Sequence, residues 1–86
     1  MKQPKRALQF AVCIGNEGQE ASLLIGKLYE VVPDAEANQH GYLRVIDESG
    51  EEYWHAGTNF HAVRVSNDLA RTLHAAYQET ALCSLV

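Results

Sequence analysis

Four carboxylates crowd into one short stretch, Asp47, Glu48, Glu51 and Glu52, and four histidines, His40, His55, His61 and His74, follow or flank it. Carboxylates that converge on one point hold a hard cation. Here they fall in a turn, where neighbouring side chains splay, and no Asp-x-Asp-x-Asp-Gly loop is present. A solvated turn is therefore expected. Structural zinc needs closely spaced cysteine pairs or His-x₃₋₅-His. His55 and His61, six apart with Cys13 as a third ligand, come nearest to that pattern, and ordinary surface or hydrogen-bonded histidines are expected instead. Cys13 with a histidine is the one nucleophile–base candidate. It sits inside an apolar strand with no cation beside it in sequence to favour a thiolate. Gly15-Asn-Glu-Gly18 lacks the third glycine of a dinucleotide loop. The reading assigns no catalytic residue, no metal ligand and no cofactor.

Aromatic side chains offer a different chemistry, that of recognition. Tyr29, Tyr42, Tyr53 and Trp54 are the candidates to face a partner. Tyr53 and Trp54 are adjacent, so on a strand they point to opposite faces, one inward and one outward. An outward aromatic beside acidic residues and Arg44 suits a protein or peptide partner. The candidate binding set is Tyr29, Arg44, Tyr53 and Trp54, and the competing expectation is that these are half-buried residues of the fold.

The elements that must position them are legible. Tyr42 to His55 reads as two strands joined by Asp47-Glu48-Ser49-Gly50, where Asp and Ser bond back to the backbone and Gly accepts a positive φ. Tyr42, Arg44 and Ile46 share one face of the first arm, and Leu43, Val45 and Asp47 the other. Leu8–Ile14 is a strand with Leu8, Phe10, Val12 and Ile14 on one face. Lys27–Val32 is a second, closed by Pro33, which cannot donate to a ladder. One helical turn is expected through Ala35–Asn38, a short 3₁₀ turn near Ala56–Phe60, and a last strand at His61–Val65. Five short strands between residues 8 and 65 suit a small barrel or sandwich. From Ser66 the period changes. Ser66 or Asn67 can cap a helix over about 67–82, with Leu69, Leu73, Ala76, Tyr77 and Thr80 as its apolar stripe. That helix is expected to cap its own barrel or to pair with a second copy as a homodimer.

The 86 residues make one domain, expected over 8–86 after a flexible basic tail, 1–7. Net charge is −4, yet Lys2, Lys5 and Arg6 hold three of the seven basic residues. Beyond them, four basic residues face eleven acidic ones, a balance that disfavours phosphate backbones. No apolar run reaches the roughly 20 residues of a membrane span. The short apolar stretch after the basic start lacks a cleavage site and is not read as a secretory signal. Two cysteines make no disulfide framework, so a cytoplasmic protein with reduced thiols is expected.

Leu24-Ile-Gly-Lys-Leu-Tyr-Glu-Val31, Arg44-Val-Ile-Asp-Glu-Ser-Gly-Glu51 and Tyr53 resemble the bacterial SH3-like small barrels. The likeness is greatest to a group of short uncharacterised bacterial proteins that share Leu-x-x-Gly-Lys-x-Tyr-x-Val and Arg-Val-x-Asp-Glu-Ser-Gly-Glu-x-Tyr. It spans about residues 8–65 and leaves out the C-terminal helix and Trp54-His-Ala-Gly57. The resemblance implies a mainly β fold, a five-stranded, mostly antiparallel SH3-like barrel, and says little about activity, because small barrels host many. The expected role is a non-enzymatic interaction or regulatory module with a protein partner. The alternative is a nucleic-acid-associated small barrel that uses its basic tail.

Overall fold

Five strands and two helices form in the order β1 (Gln9–Cys13), β2 (Leu28–Val32), α1 (Ala35–Gln39), β3 (Tyr42–Ile46), β4 (Glu52–Ala56), a 3₁₀ turn (Gly57–Asn59), β5 (Phe60–Val63) and α2 (Asn67–Cys83). This computed structural model describes residues 8–83, with side chains through Tyr77. The expected tail at 1–7, the apolar end at 84–86 and the side chain of Thr80 lie outside the described residues.

All strand pairings are antiparallel, in the order β4-β3-β2-β1-β5. Laid flat, five strands about 4.8 Å apart would hold β4 and β5 about 19 Å from each other. Only three residues join Ala56 to Phe60, and four Cα steps reach at most about 15 Å. The sheet therefore has to curl. It stays open, since β4 and β5 form no ladder. The fold is a mainly β, five-stranded antiparallel sheet with a C-terminal helix, and the sheet is not closed into a barrel.

The inner face of the curl holds Ala11, Cys13, Tyr29, Val31, Val45 and Phe60, with Leu23 from the β1–β2 loop and Leu43 packed alongside. Tyr29 and Phe60 meet edge to face at 6.5 Å. This settles which face of β1 is inward. The face that Leu8, Phe10, Val12 and Ile14 were expected to share is the outer one: Ala11 and Cys13 face the inner core, while Phe10 is buried on the opposite face and Ile14 is exposed. A central strand covered on both sides carries apolar residues at every position, so alternation does not single out a face.

The outer face is covered over β1 and β2 by α2. Ser66 caps this helix: its Oγ accepts from the Leu69 N–H at 3.1 Å, and its carbonyl accepts from the Ala70 N–H at 2.8 Å. Tyr77 packs edge to face on Phe10 at 6.4 Å and donates its hydroxyl to the Leu28 carbonyl at 2.7 Å. His74 Nδ1 lies 2.6 Å from Glu30 Oε1. The helix is thus docked on its own sheet. Its buried stripe is shifted from the expected one: Ala70 is buried, whereas Leu69 and Ala76 are exposed. The cap sets the helix in register, and the polar anchors at His74 and Tyr77 then fix which side faces the sheet.

Candidate functional site

The β3–β4 hairpin carries two adjacent side chains, Trp54 and His55, on opposite faces of the sheet, and a carboxylate holds each of them. Five residues, 47–51, join the two strands, and the Asp47 N–H donates to the Glu51 carbonyl at 3.2 Å. Gly50 adopts φ +83° there, which a residue with a Cβ rarely does. Asp47 Oδ1 accepts from the Ser49 N–H at 2.9 Å and from its hydroxyl at 2.6 Å. The other oxygen, Oδ2, lies 2.9 Å from His55 Nε2, so that ring nitrogen carries the proton. Burial by itself would raise the Asp47 carboxyl, but the bonds from Ser49 and His55 outweigh it and hold the group below its ordinary value. Both residues are 6% exposed. The expected solvated turn is therefore corrected at Asp47, which points inward with Leu43 and Val45. His55 sits directly across from Leu43 and shares that face.

Glu48 is drawn in as well. Its Oε2 accepts from Lys27 Nζ at 2.6 Å and from the Tyr29 hydroxyl at 2.5 Å. Burial opposes ionisation of Glu48, and the Lys27 and Tyr29 bonds overcome it, so its carboxyl also lies below the usual value. Burial and the Glu48 carboxylate push the Tyr29 hydroxyl far above its ordinary value. Tyr29 is a core residue with its hydroxyl fully engaged, since that oxygen also accepts from the Leu24 N–H at 2.8 Å. Its ring is not available at the surface.

On the outer face the arrangement opens to solvent. Trp54 is 38% exposed and Tyr42 41% exposed. Their rings stack at 5.9 Å and 26° between planes, and His40 stacks on the other neighbour of the row, 6.2 Å from Trp54 at 28°. The indole N–H donates to Asp34 Oδ2 at 3.1 Å. Arg44, directly across from Trp54 in the ladder, places Nε 2.9 Å from the same oxygen and Nη1 3.4 Å from Glu52 Oε1. Asp34 itself is fixed by its place before α1, where Oδ1 accepts from the Ala37 N–H at 3.0 Å. That backbone bond, followed by the Trp54 and Arg44 contacts, keeps its carboxyl low against the opposing effect of burial. The exposed indole at the centre of this row is thereby anchored by a capping carboxylate that a guanidinium also holds.

Of the four residues singled out in the sequence, the structure brings Arg44 and Trp54 together. Tyr53 lies on the other face, 51% exposed, with its hydroxyl bonded to Glu51 Oε1 at 3.1 Å. Tyr29 is in the core. Sequence reasoning did not find His40 and Asp34. Asp34 follows a proline and precedes a helical turn, which is a capping signature, but its second oxygen reaches Trp54 across twenty residues, and local pattern does not report that. Cys13 is buried and its thiol donates to the Gly15 carbonyl at 3.3 Å. Among the described residues, no group of three or more His, Cys, Asp or Glu side chains is placed to hold a metal ion. No described helix is long and apolar enough to cross a membrane.

Comparison of the chain with family models, with curated proteins and with solved structures gave no match.

Proposed function

We propose that this chain is a non-enzymatic interaction module, a small SH3-like barrel whose partner meets the outer face of the β3–β4 hairpin at Trp54, Tyr42 and Arg44. The observation that carries this reading is the exposed aromatic row His40–Trp54–Tyr42, whose central indole is anchored to Asp34. Exposed aromatics that are already ordered contribute contact area without a further ordering cost on binding, and tryptophan, tyrosine and arginine dominate the centres of protein interfaces. The strand order and the 3₁₀ turn that carries β4 back toward β5 support the small-barrel reading. The acidic surroundings weigh against nucleic acid. Arg44 is engaged by two carboxylates, Asp34 and Glu52, which leaves little cationic charge for phosphate at this face.

The test is capture of partners on the tagged protein, compared with its Trp54→Ala, Tyr42→Ala and Tyr53→Ala variants. The reading expects a protein partner that is lost with Trp54→Ala and Tyr42→Ala and retained with Tyr53→Ala. Equal capture by all four proteins overturns it.

A further inference from the structure

The register of the hairpin says which backbone groups of β4 are left over. Asp47 donates its N–H to the Glu51 carbonyl, and Gly57 donates to the Gly41 carbonyl. Both bonds join residues in the same register as the ladder between them, Tyr42↔Ala56 to Ile46↔Glu52. In an antiparallel pair, hydrogen-bonded and non-bonded residues alternate. Tyr53 and His55 therefore exchange bonds with β3, and the N–H and C=O groups of Glu52 and Trp54, with the N–H of Ala56, point outward from the edge of the sheet; the Ala56 carbonyl is taken up by the first bond of the 3₁₀ turn. Among the described residues no hydrogen bond engages these outward groups. Trp54, the middle residue of the three, is also the centre of the outer-face aromatic row.

We infer that β4 is the docking edge of this module, and that its partner is an extended basic segment that adds to the sheet as a sixth strand. This rests on the proposed reading of Trp54 as the partner-facing residue and adds the mode of binding and the chemistry of the partner. Unpaired edges template strand addition by backbone bonds, with side chains setting the specificity. Charge selects the partner. Three carboxylates, Asp34, Glu51 and Glu52, border this edge against the single guanidinium of Arg44. Glu52 lies on the outer face with Trp54, and Glu51 on the inner face with Tyr53, so a basic side chain meets a carboxylate on either side of an added strand. The opposite edge, β5, offers no such row: His61 and Ala62 are its exposed positions.

Ala56 permits a clean test. Its φ of −56° and ψ of 128° suit proline. Ala56→Pro removes one outward donor at an edge position where proline is tolerated, and the fold keeps its β3–β4 ladder. The probe is an acetylated, amidated heptapeptide alternating Lys and Val. It is compared with a Glu–Val peptide of the same pattern and with a Lys–Val peptide methylated at every interior amide nitrogen. Trp54 is the only tryptophan, so its fluorescence reports directly. The inference expects saturable binding of the Lys–Val peptide that weakens with salt, slowed hydrogen exchange at the Glu52, Trp54 and Ala56 amides, and about threefold to tenfold weaker binding to Ala56→Pro. It expects at least tenfold weaker binding of the other two peptides. If the methylated peptide binds at Trp54 as well as the parent, strand addition is overturned while the aromatic-surface reading stands. If the Glu–Val peptide binds equally, the basic partner is overturned. A chain that is already a dimer, and becomes a monomer on Ala56→Pro, would assign the edge to a second copy and overturn the proposal. No saturable response from any peptide overturns it as well.

Discussion

Trp54 and His55 are neighbours in β4, and each has a ring N–H bonded to an aspartate, yet the two devices do different work. The inner one, His55–Asp47, is closed off from water and every polar atom of Asp47 is engaged. Breaking it leaves a charge stranded in the core. The outer one, Trp54–Asp34, stands at the surface, where water replaces any bond that is lost. Contact geometry is similar in the two, so burial decides whether such a bond governs stability or merely fixes a side chain for use. Fixing an exposed aromatic adds little to the fold, which is why recognition is the role proposed for the outer device.

Substitutions can break this comparison. His55→Ala leaves Asp47 buried without its ring partner. Loss of one member of a buried pair costs about 3–5 kcal/mol, a large part of a small domain's net stability of roughly 5–15 kcal/mol. Urea unfolding should show this loss, and a change under about 1 kcal/mol would show that the inner pair is not a stability device. Asp47→Asn sharpens the point through pH. Because the folded state holds the Asp47 carboxyl below its unfolded value, its contribution is present above the unfolded value and is lost as pH falls through the folded one. Stability between about pH 5 and pH 2 should therefore fall less steeply in Asp47→Asn than in the natural chain, as thermal unfolding across that range would show.

Tyr77→Phe probes the helix dock in the same terms. It removes one hydroxyl bond to the Leu28 carbonyl and keeps the ring on Phe10, so a loss of about 1 kcal/mol is expected in urea unfolding. The smallest effect is expected at Trp54→Phe. It deletes the indole N–H bond to Asp34 at a solvent-accessible site, and stability should move by under about 1 kcal/mol. An unfolding shift as large as that of His55→Ala would erase the distinction between the two devices.

Much of this architecture is legible from residue pattern. The hairpin, its glycine turn, the 3₁₀ turn and the C-terminal helix follow from alternation, turn chemistry and a serine cap. What escapes has physical causes. Tyr29 is a surface candidate on its aromatic type alone, and nothing in the sequence says that α2 covers one face of β2 and the curled sheet the other. The helix stripe was centred on Leu69 rather than Ala70 because residue size weighs more in a pattern than the one-residue phase set by Ser66. Asp47 was read as solvated from its neighbours in the turn. Its place on the Leu43–Val45 face and the hairpin register, which sets His55 beside Leu43, were the signals that it is inside. The barrel is what the resemblance implies, and whether its edge strands pair is a long-range outcome that short motifs do not encode.

The central claim is that Trp54 serves recognition and not the fold. The measurement that tests it most directly pairs urea unfolding with partner capture, under nuclease treatment, for the natural chain and Trp54→Ala. The account predicts a protein partner that survives nuclease and disappears with Trp54→Ala, while stability falls by no more than about 1–2 kcal/mol. Capture unchanged by Trp54→Ala, or captured material that is lost with nuclease, would contradict it.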